Sequence, residues 1–169
     1  MTDAGRILVL GLGNPVMGDD GVGLEALECL RAGYLVPSCV ELADGGTWGM
    51  RLLPMLQDHG RVLFLDAIDA GRPPGTLVRL DGDAIPRGLG IGKLSPHQVD
   101  LQDVLAAAAL LGRVPSQMVA LGLQPERVEM RVGLSPAVEA QLDTLVAAAV
   151  ECLATWGAAC QRLEVPAHA

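Results

Sequence analysis

The apolar run Ile7-Leu8-Val9-Leu10 passes without a break into Gly11-Leu12-Gly13-Asn14-Pro15-Val16-Met17-Gly18-Asp19-Asp20-Gly21-Val22-Gly23. Such a succession reads as a buried strand, a glycine-rich loop and a helix start. At this loop a nucleotide-binding protein presents amides and glycines to phosphate. Here two adjacent carboxylates stand instead, and they repel phosphate and attract a cation. A dinucleotide site also fails on its fingerprint, because Val16-Met17-Gly18-Asp19 occupies the place where G-x-G-x-x-G would continue.

The same strand-then-helix alternation runs to the end of the chain. Strands are expected over 6–11, 39–43, 61–66, 76–80 and 118–123. Helices are expected over 21–32 (ended by Gly33), 47–57, 96–111 and 136–156. The run Val62-Leu63-Phe64-Leu65 is apolar at every position, as a strand covered on both faces requires. Residues 76–80 alternate apolar and polar, which suits an antiparallel edge strand, and the glycine-rich segment 87–93 reads as a mobile loop. The pattern predicts a three-layer α/β/α sandwich with a mainly parallel sheet carrying one antiparallel edge strand. A single domain over 1–156 and a flexible tail over 157–169 are expected.

Composition narrows the class of protein. The 169 residues suffice for one core, and half are apolar, supplied by Ala, Leu and Val rather than by the few aromatic residues. The longest apolar stretches, 104–111 and 145–150, fall far short of the ~20 residues of a membrane span. No basic segment, apolar core and cleavage site of a secretory signal is legible, so a cytoplasmic location is expected. A net charge of −8 disfavours nucleic acid and anionic membranes as partners. Cys29, Cys39 and Cys152 sit inside apolar patterns and are expected as buried thiols; with Cys160 they form no C-x-x-C pair.

Chemistry-bearing residues gather at the ends of the expected strands. One of Asp19 and Asp20 can cap the first helix, which leaves the other for a functional role. Asp66 closes an apolar strand at the carboxyl edge of the sheet, where open α/β folds keep their ligands, although a loop-entry aspartate can equally bond backbone amides. Asp44, in Asp44-Gly45-Gly46-Thr47, follows the second strand in the same topological position. In Ser95-Pro96-His97-Gln98 the S-x-x-Q spacing and Pro96 predict a capped helix start with His97 in its first turn. There the helix dipole keeps the imidazole neutral, the form a metal needs. His59, before Gly60, reads instead as a partner for a helix C-terminus. Two carboxylates and one imidazole suit a divalent ion such as nickel, zinc or manganese, and three ligands scattered on loops make an open site that holds it weakly.

Taken in order, these motifs resemble the hydrogenase maturation proteases, nickel-dependent endopeptidases that process the large subunit of [NiFe] hydrogenases. The resemblance runs from about Arg6 to Val146. It is carried by the Gly11–Gly23 stretch, Glu41-Leu42-Ala43-Asp44-Gly45-Gly46-Thr47, Asp66-Ala67-Ile68, Ser95-Pro96-His97-Gln98 and Gly133-Leu134-Ser135-Pro136. It implies Asp20, Asp66 and His97 as metal ligands and puts Asp44 on the functional rim. It further implies recognition of nickel already inserted in the precursor and removal of a short C-terminal extension. The nickel would belong to the substrate, and a monomer is expected. Two other readings compete: a chaperone that binds the metal-loaded precursor without cutting it, and a peptidyl-tRNA hydrolase. The second shares Gly11-Leu12-Gly13-Asn14-Pro15 but continues with a histidine-asparagine motif and needs a basic surface, where this chain has Asp19-Asp20 and a negative charge.

Overall fold

A computed structural model describes residues 3–46, 49–85 and 100–164 of the chain. Its seven strands are β1 (Asp3–Leu12), β2 (Tyr34–Leu35), β3 (Val40–Gly46), β4 (His59–Ala67), β5 (Leu77–Asp81), β6 (Gln117–Leu123) and β7 (Gln161–Arg162). The α-helices are α1 (Val22–Gly33), α2 (Leu52–Asp58), α3 (Leu101–Leu110), α4 (Pro136–Glu139) and α5 (Leu142–Thr155). Five strands form one sheet in the order β3-β1-β4-β6-β5. The pairs β1/β3, β1/β4 and β4/β6 are parallel, and β5 runs antiparallel to β6 at the edge. This is the mixed sheet that the sequence pattern predicts.

Alternate residues of each central strand serve opposite faces. Ile7, Val9, Leu63 and Leu65 pack with Val22, Ala26, Leu27 and Leu30 of α1 and with Leu145, Val146, Ala149 and Leu153 of α5. Leu8, Leu10, Val62 and Phe64 pack on the other face with Leu52 and Leu56 of α2 and Leu101, Val104 and Leu105 of α3. Helices on both faces explain why these strands show no polar alternation. None of the described helices is long and apolar enough to cross a membrane.

Some boundaries differ from expectation. The helix described within the expected 96–111 span is Leu101–Leu110, where extended Asp100 exchanges hydrogen bonds with Asp103 as a capping box; residues 96–99 lie outside the described residues. Of the expected 47–57 helix, the described residues form a 3₁₀ turn, Gly49–Arg51, running into α2. The last helix is broken between Glu139 and Leu142, with Gln141 at φ −106°. The tail is held over its first part: Ala158 is buried, β7 pairs antiparallel with β2, and Leu163 N–H donates to Gly33 C=O at 2.8 Å. The two-residue edge β2 offers open backbone groups, and the tail satisfies them. Cys39 is exposed rather than buried, and all four cysteines are free thiols.

Neither Asp19 nor Asp20 caps α1. Both lie in a 3₁₀ turn, Gly18–Gly21, upstream of the helix, whose N-cap is Gly21 with no side-chain bond. Asp19 is almost fully buried and reaches across to the connection between β6 and α4. Its carboxylate accepts from Glu126 N–H (2.8 Å), Arg127 N–H (3.1 Å), Ser135 N–H (2.6 Å) and the Ser135 hydroxyl (2.8 Å). Burial pushes this carboxyl upward, but the bonds from Ser135, Arg127 and Glu126 outweigh it and leave it below the ordinary aspartate value. One ionised side chain thus closes a 12-residue irregular connection, 124–135, onto the loop after β1.

Two predictions concern stability. A Cβ at Gly23 would collide with the Leu65 carbonyl of β4, whereas one at Gly33 meets nothing within 4 Å. Gly23→Ala is therefore expected to destabilise by more than about 2 kcal/mol, while Gly33→Ala is neutral or stabilises by up to about 1 kcal/mol. Denaturant titration of the two variants checks the contrast. Asp19→Ala removes the acceptor of four part-buried donors and is expected to lose about 3 kcal/mol. Because the folded-state Asp19 value is depressed, its contribution is fully present above the unfolded value of 3.8 and is lost as pH falls through the folded value. Asp19→Asn should therefore show a shallower loss of stability between pH 5 and about pH 2 than the parent, measured by thermal melts.

Candidate active site

The 3₁₀ turn sets Asp20 above the end of β1, and strand β4 delivers Asp66 beside it. Asp20 is half-buried and accepts from Asn14 N–H at 2.9 Å, which folds the loop over the carboxylate. Asp66 is 7% exposed and accepts from its neighbour's amide, Ala67 N–H, at 2.8 Å. The backbone bond anticipated for a loop-entry aspartate is thus present, and it coexists with the place at the rim.

Glycine makes this approach possible. Gly13 has φ +114°, and a Cβ there would collide with the Asp20 carbonyl and lie 3.6 Å from Asp66 Oδ1. A side chain would both strain the backbone and fill the space between the two acids. On the other side of β4, Asp66 pairs with Gly122 of β6, where a Cβ would strike the Asp66 carbonyl. Strand β4 is thereby flanked closely at the residue that carries the carboxylate.

The electrostatics are unfavourable by construction. Burial pushes the Asp20 carboxyl above its ordinary value, against the Asn14 N–H that lowers it. For Asp66 burial is the largest cause, the Asp20 charge adds to it, and the Ala67 N–H only partly opposes them, so its carboxyl stands well above the ordinary value. Among the described residues the contrast with adjacent Asp19 is clear: Asp19 has four donors, Asp20 and Asp66 one each. A cation placed between Asp20 and Asp66 would relieve both the desolvation and the repulsion, and their hard oxygen donors fit a divalent ion.

Asp44 pairs with Gly11 across β1, one strand away from Leu65 and hence at the same edge as Asp66. It is exposed and lies inside β3 rather than in a turn after it. The structure brings Asp44 to the rim, where its side chain has no hydrogen-bonding partner among the described residues. His97 and its neighbours Ser95, Pro96 and Gln98, like Thr47 and the loop 87–93, lie outside the described residues. Among the described residues no group of three or more His, Cys, Asp or Glu side chains is arranged to hold a metal ion. His59 fills the role expected of it, with Nδ1 2.7 Å from the Met55 carbonyl in α2, far from this edge, and Nε2 against Glu41.

Two rim residues were not singled out from the sequence. Gln124 is buried; its Oε1 accepts from Ala70 N–H and Arg72 N–H, and its Nε2 donates to Asp69 Oδ1. It binds the loop after β4 to the end of β6. A lone glutamine after a strand carries no sequence signal for this. Ser135 belongs to the quoted Gly133-Leu134-Ser135-Pro136 motif, and its chemistry proves to be the closure of the Asp19 clasp.

A family model described as hydrogenase maturation protease matches residues 24–152. The hydrogenase expression/formation protein HupD of Rhodobacter capsulatus is 43% identical over 153 residues, covering 90% of this chain and 73% of that protein. The hydrogenase 2 maturation protease of Escherichia coli is 40% identical over 139 residues, covering 82% and 84%. Among solved structures, the hydrogenase maturating endopeptidase HybD from E. coli superposes with a TM-score of 0.85 at 36% identity, covering 93% of this chain and 97% of that one. A sheet edge carrying two crowded carboxylates, on a fold shared over nearly its whole length with these proteases, leads to one conclusion: the chain belongs to the hydrogenase maturation protease family.

Proposed function

We propose that this endopeptidase removes a short C-terminal extension from the nickel-loaded precursor of a [NiFe] hydrogenase large subunit, recognising the nickel that the substrate carries. The observation that supports this most is the Asp20–Asp66 pair. The native state holds two carboxylates near each other in a desolvated corner, each with one donor among the described residues, a setting that a cation would relieve. A resident metal bound tightly would call for a closed ligand set, whereas an open pair at a rim suits an ion that arrives on another protein. In this reading Asp20, Asp66 and His97 anchor the ion, and Asp44 lines the path of the substrate chain beside them. An empty precursor lacks the handle and is not cut. The nickel supplies polarisation of the scissile carbonyl or of the attacking water. We take the protein to act as a monomer in the cytoplasm.

The upward displacement of Asp66 favours a second reading of the chemistry. A carboxyl held well above its ordinary value is a stronger base than an ordinary aspartate, and in this second reading Asp66 serves as a general base without the metal. In that case nickel would matter little to cleavage. The relatives are known as a maturation protease and an endopeptidase, which favours cutting over a chaperone that only binds.

Intact-mass analysis of nickel-loaded and nickel-free precursor incubated with the purified protein separates these readings. Shortening of the loaded form alone is expected; equal shortening of both would exclude recognition through the metal. Asp20→Asn, Asp66→Asn and His97→Ala are each expected to slow cleavage of the loaded form by at least ~100-fold, and undiminished cleavage by any one would remove that residue from the ligand set. Stability should move the other way. With its folded-state value raised, Asp66 weakens the native state as pH rises above 3.8, so replacing the charge with an amide removes a penalty at neutral pH. Asp66→Asn is expected to raise Tm at pH 7 by about 2 °C or more while abolishing activity. A lowered Tm would contradict the crowded pair.

A further inference from the structure

The connection 124–135 leaves β6 one residue after Gly122, the partner of Asp66, so it rises from the rim of the acid pair. Beyond the Asp19 clasp it is stitched to the loop after β1 by backbone bonds. Gly18 N–H donates to Arg131 C=O (2.7 Å), Arg131 N–H to Val16 C=O (2.9 Å) and Asp19 N–H to Arg127 C=O (3.1 Å). These place Met17 and Arg131 in a parallel bridge, which sets Val16 beside Met130. The result is an irregular segment fixed as firmly as a strand.

What this fixed segment displays is unusual for a tightly bonded loop. Met130 is 87% exposed, Val132 81% and Val16 48%. Between the first two stands Arg131, also exposed, with no ion-pair partner among the described residues, while Arg127 lies 3.9 Å from Glu129. Isolated exposed apolar side chains need no explanation, but three on one bridge, ordered by a buried carboxylate, form a built surface. Long connections so ordered are used for binding more often than for stability. The charge adds direction. On a chain of net charge −8, this bridge adds an exposed cation, Arg131, to its apolar side chains.

We infer that Val16, Met130, Arg131 and Val132 form the docking surface for the polypeptide of the precursor, receiving an apolar side chain and an adjacent carboxylate near its cleavage segment. The inference rests on the reading that this protein cuts that precursor. It assigns the division of labour within one rim: the acid pair takes the metal, and the clasped loop takes the chain. Asp19 is the positioning residue that joins the two, since it is bonded to the loop through its side chain and to Asp20 through the next peptide unit. Preorganising the loop removes ordering entropy from the binding step, which is where such a clasp has its effect.

Kinetics on nickel-loaded precursor test this. The Met130→Ser/Arg131→Glu/Val132→Ser triple variant changes exposed side chains only and should keep its thermal midpoint. Its KM is expected to rise at least ~10-fold with kcat within about twofold of the parent, because the contact is lost equally from ground and transition states. Met130→Leu/Val132→Ile, with Arg131 kept, should restore the parent KM. An unchanged KM in the triple variant while the parent cleaves normally would overturn the docking surface and leave the protease reading intact. Hydrogen exchange supplies an arm that does not depend on cleavage. In the parent protein mixed with the same precursor, read at times short against cleavage, amides of residues 126–134 should become protected. Protection elsewhere with none in this segment would overturn the inference. Failure of the parent to cut the precursor would count against the protease reading alone, and the exchange result would still decide the surface.

Discussion

The structure turns on one uncomfortable contact, the carboxylate of Asp66 held in a desolvated corner beside that of Asp20. Two like charges out of water oppose folding, and almost any apolar or amide substitution there would be easier to bury. The surrounding fold is arranged so that the contact persists. Gly13 leaves the space, Asn14 ties down Asp20, and close packing on either side of β4 leaves Asp66 no freedom to turn away. Residues that oppose stability at a ligand-bearing sheet edge are where function is expected to reside.

The neighbouring pair Asp19 and Asp20 shows how environment divides identical side chains. Among the described residues Asp19 gains four donors and is a structural anion; Asp20, one peptide unit on, gains one and shares its corner with another acid. Their spacing on a 3₁₀ turn sends the two side chains to different surroundings. The anchor fixes the loop that frames the site, and the other acid enters the site. Family membership gives this arrangement its context: the two acids stand at the sheet edge of a hydrogenase maturation protease.

Much of the fold was legible because both hydrophobic clusters depend on period and run length alone. Val62 to Leu65 reads as a strand covered on two faces, residues 76–80 as an edge strand, and both are so. The α1 face of Val22, Ala26, Leu27 and Leu30 is likewise buried as its spacing requires. The carboxylates at the strand ends were legible for the same reason: strand boundaries set which residues reach the rim. What stayed hidden was non-local. The Asp19 clasp joins positions more than a hundred residues apart, so local logic assigned the acid to the nearest helix N-terminus instead. The Gln124 bridge and the β2–β7 pairing are hidden in the same way, because each depends on a backbone partner that only the tertiary fold supplies.

The central claim, that Asp66 is kept charged-side-in against its own electrostatics by its neighbour and its burial, can be read directly from carboxyl carbon NMR during a pH titration. Asp66 is predicted to titrate well above 3.8, and Asp20→Asn is predicted to bring its midpoint down by removing the adjacent charge. An Asp66 midpoint near 3.8 that does not respond to Asp20→Asn would contradict the account.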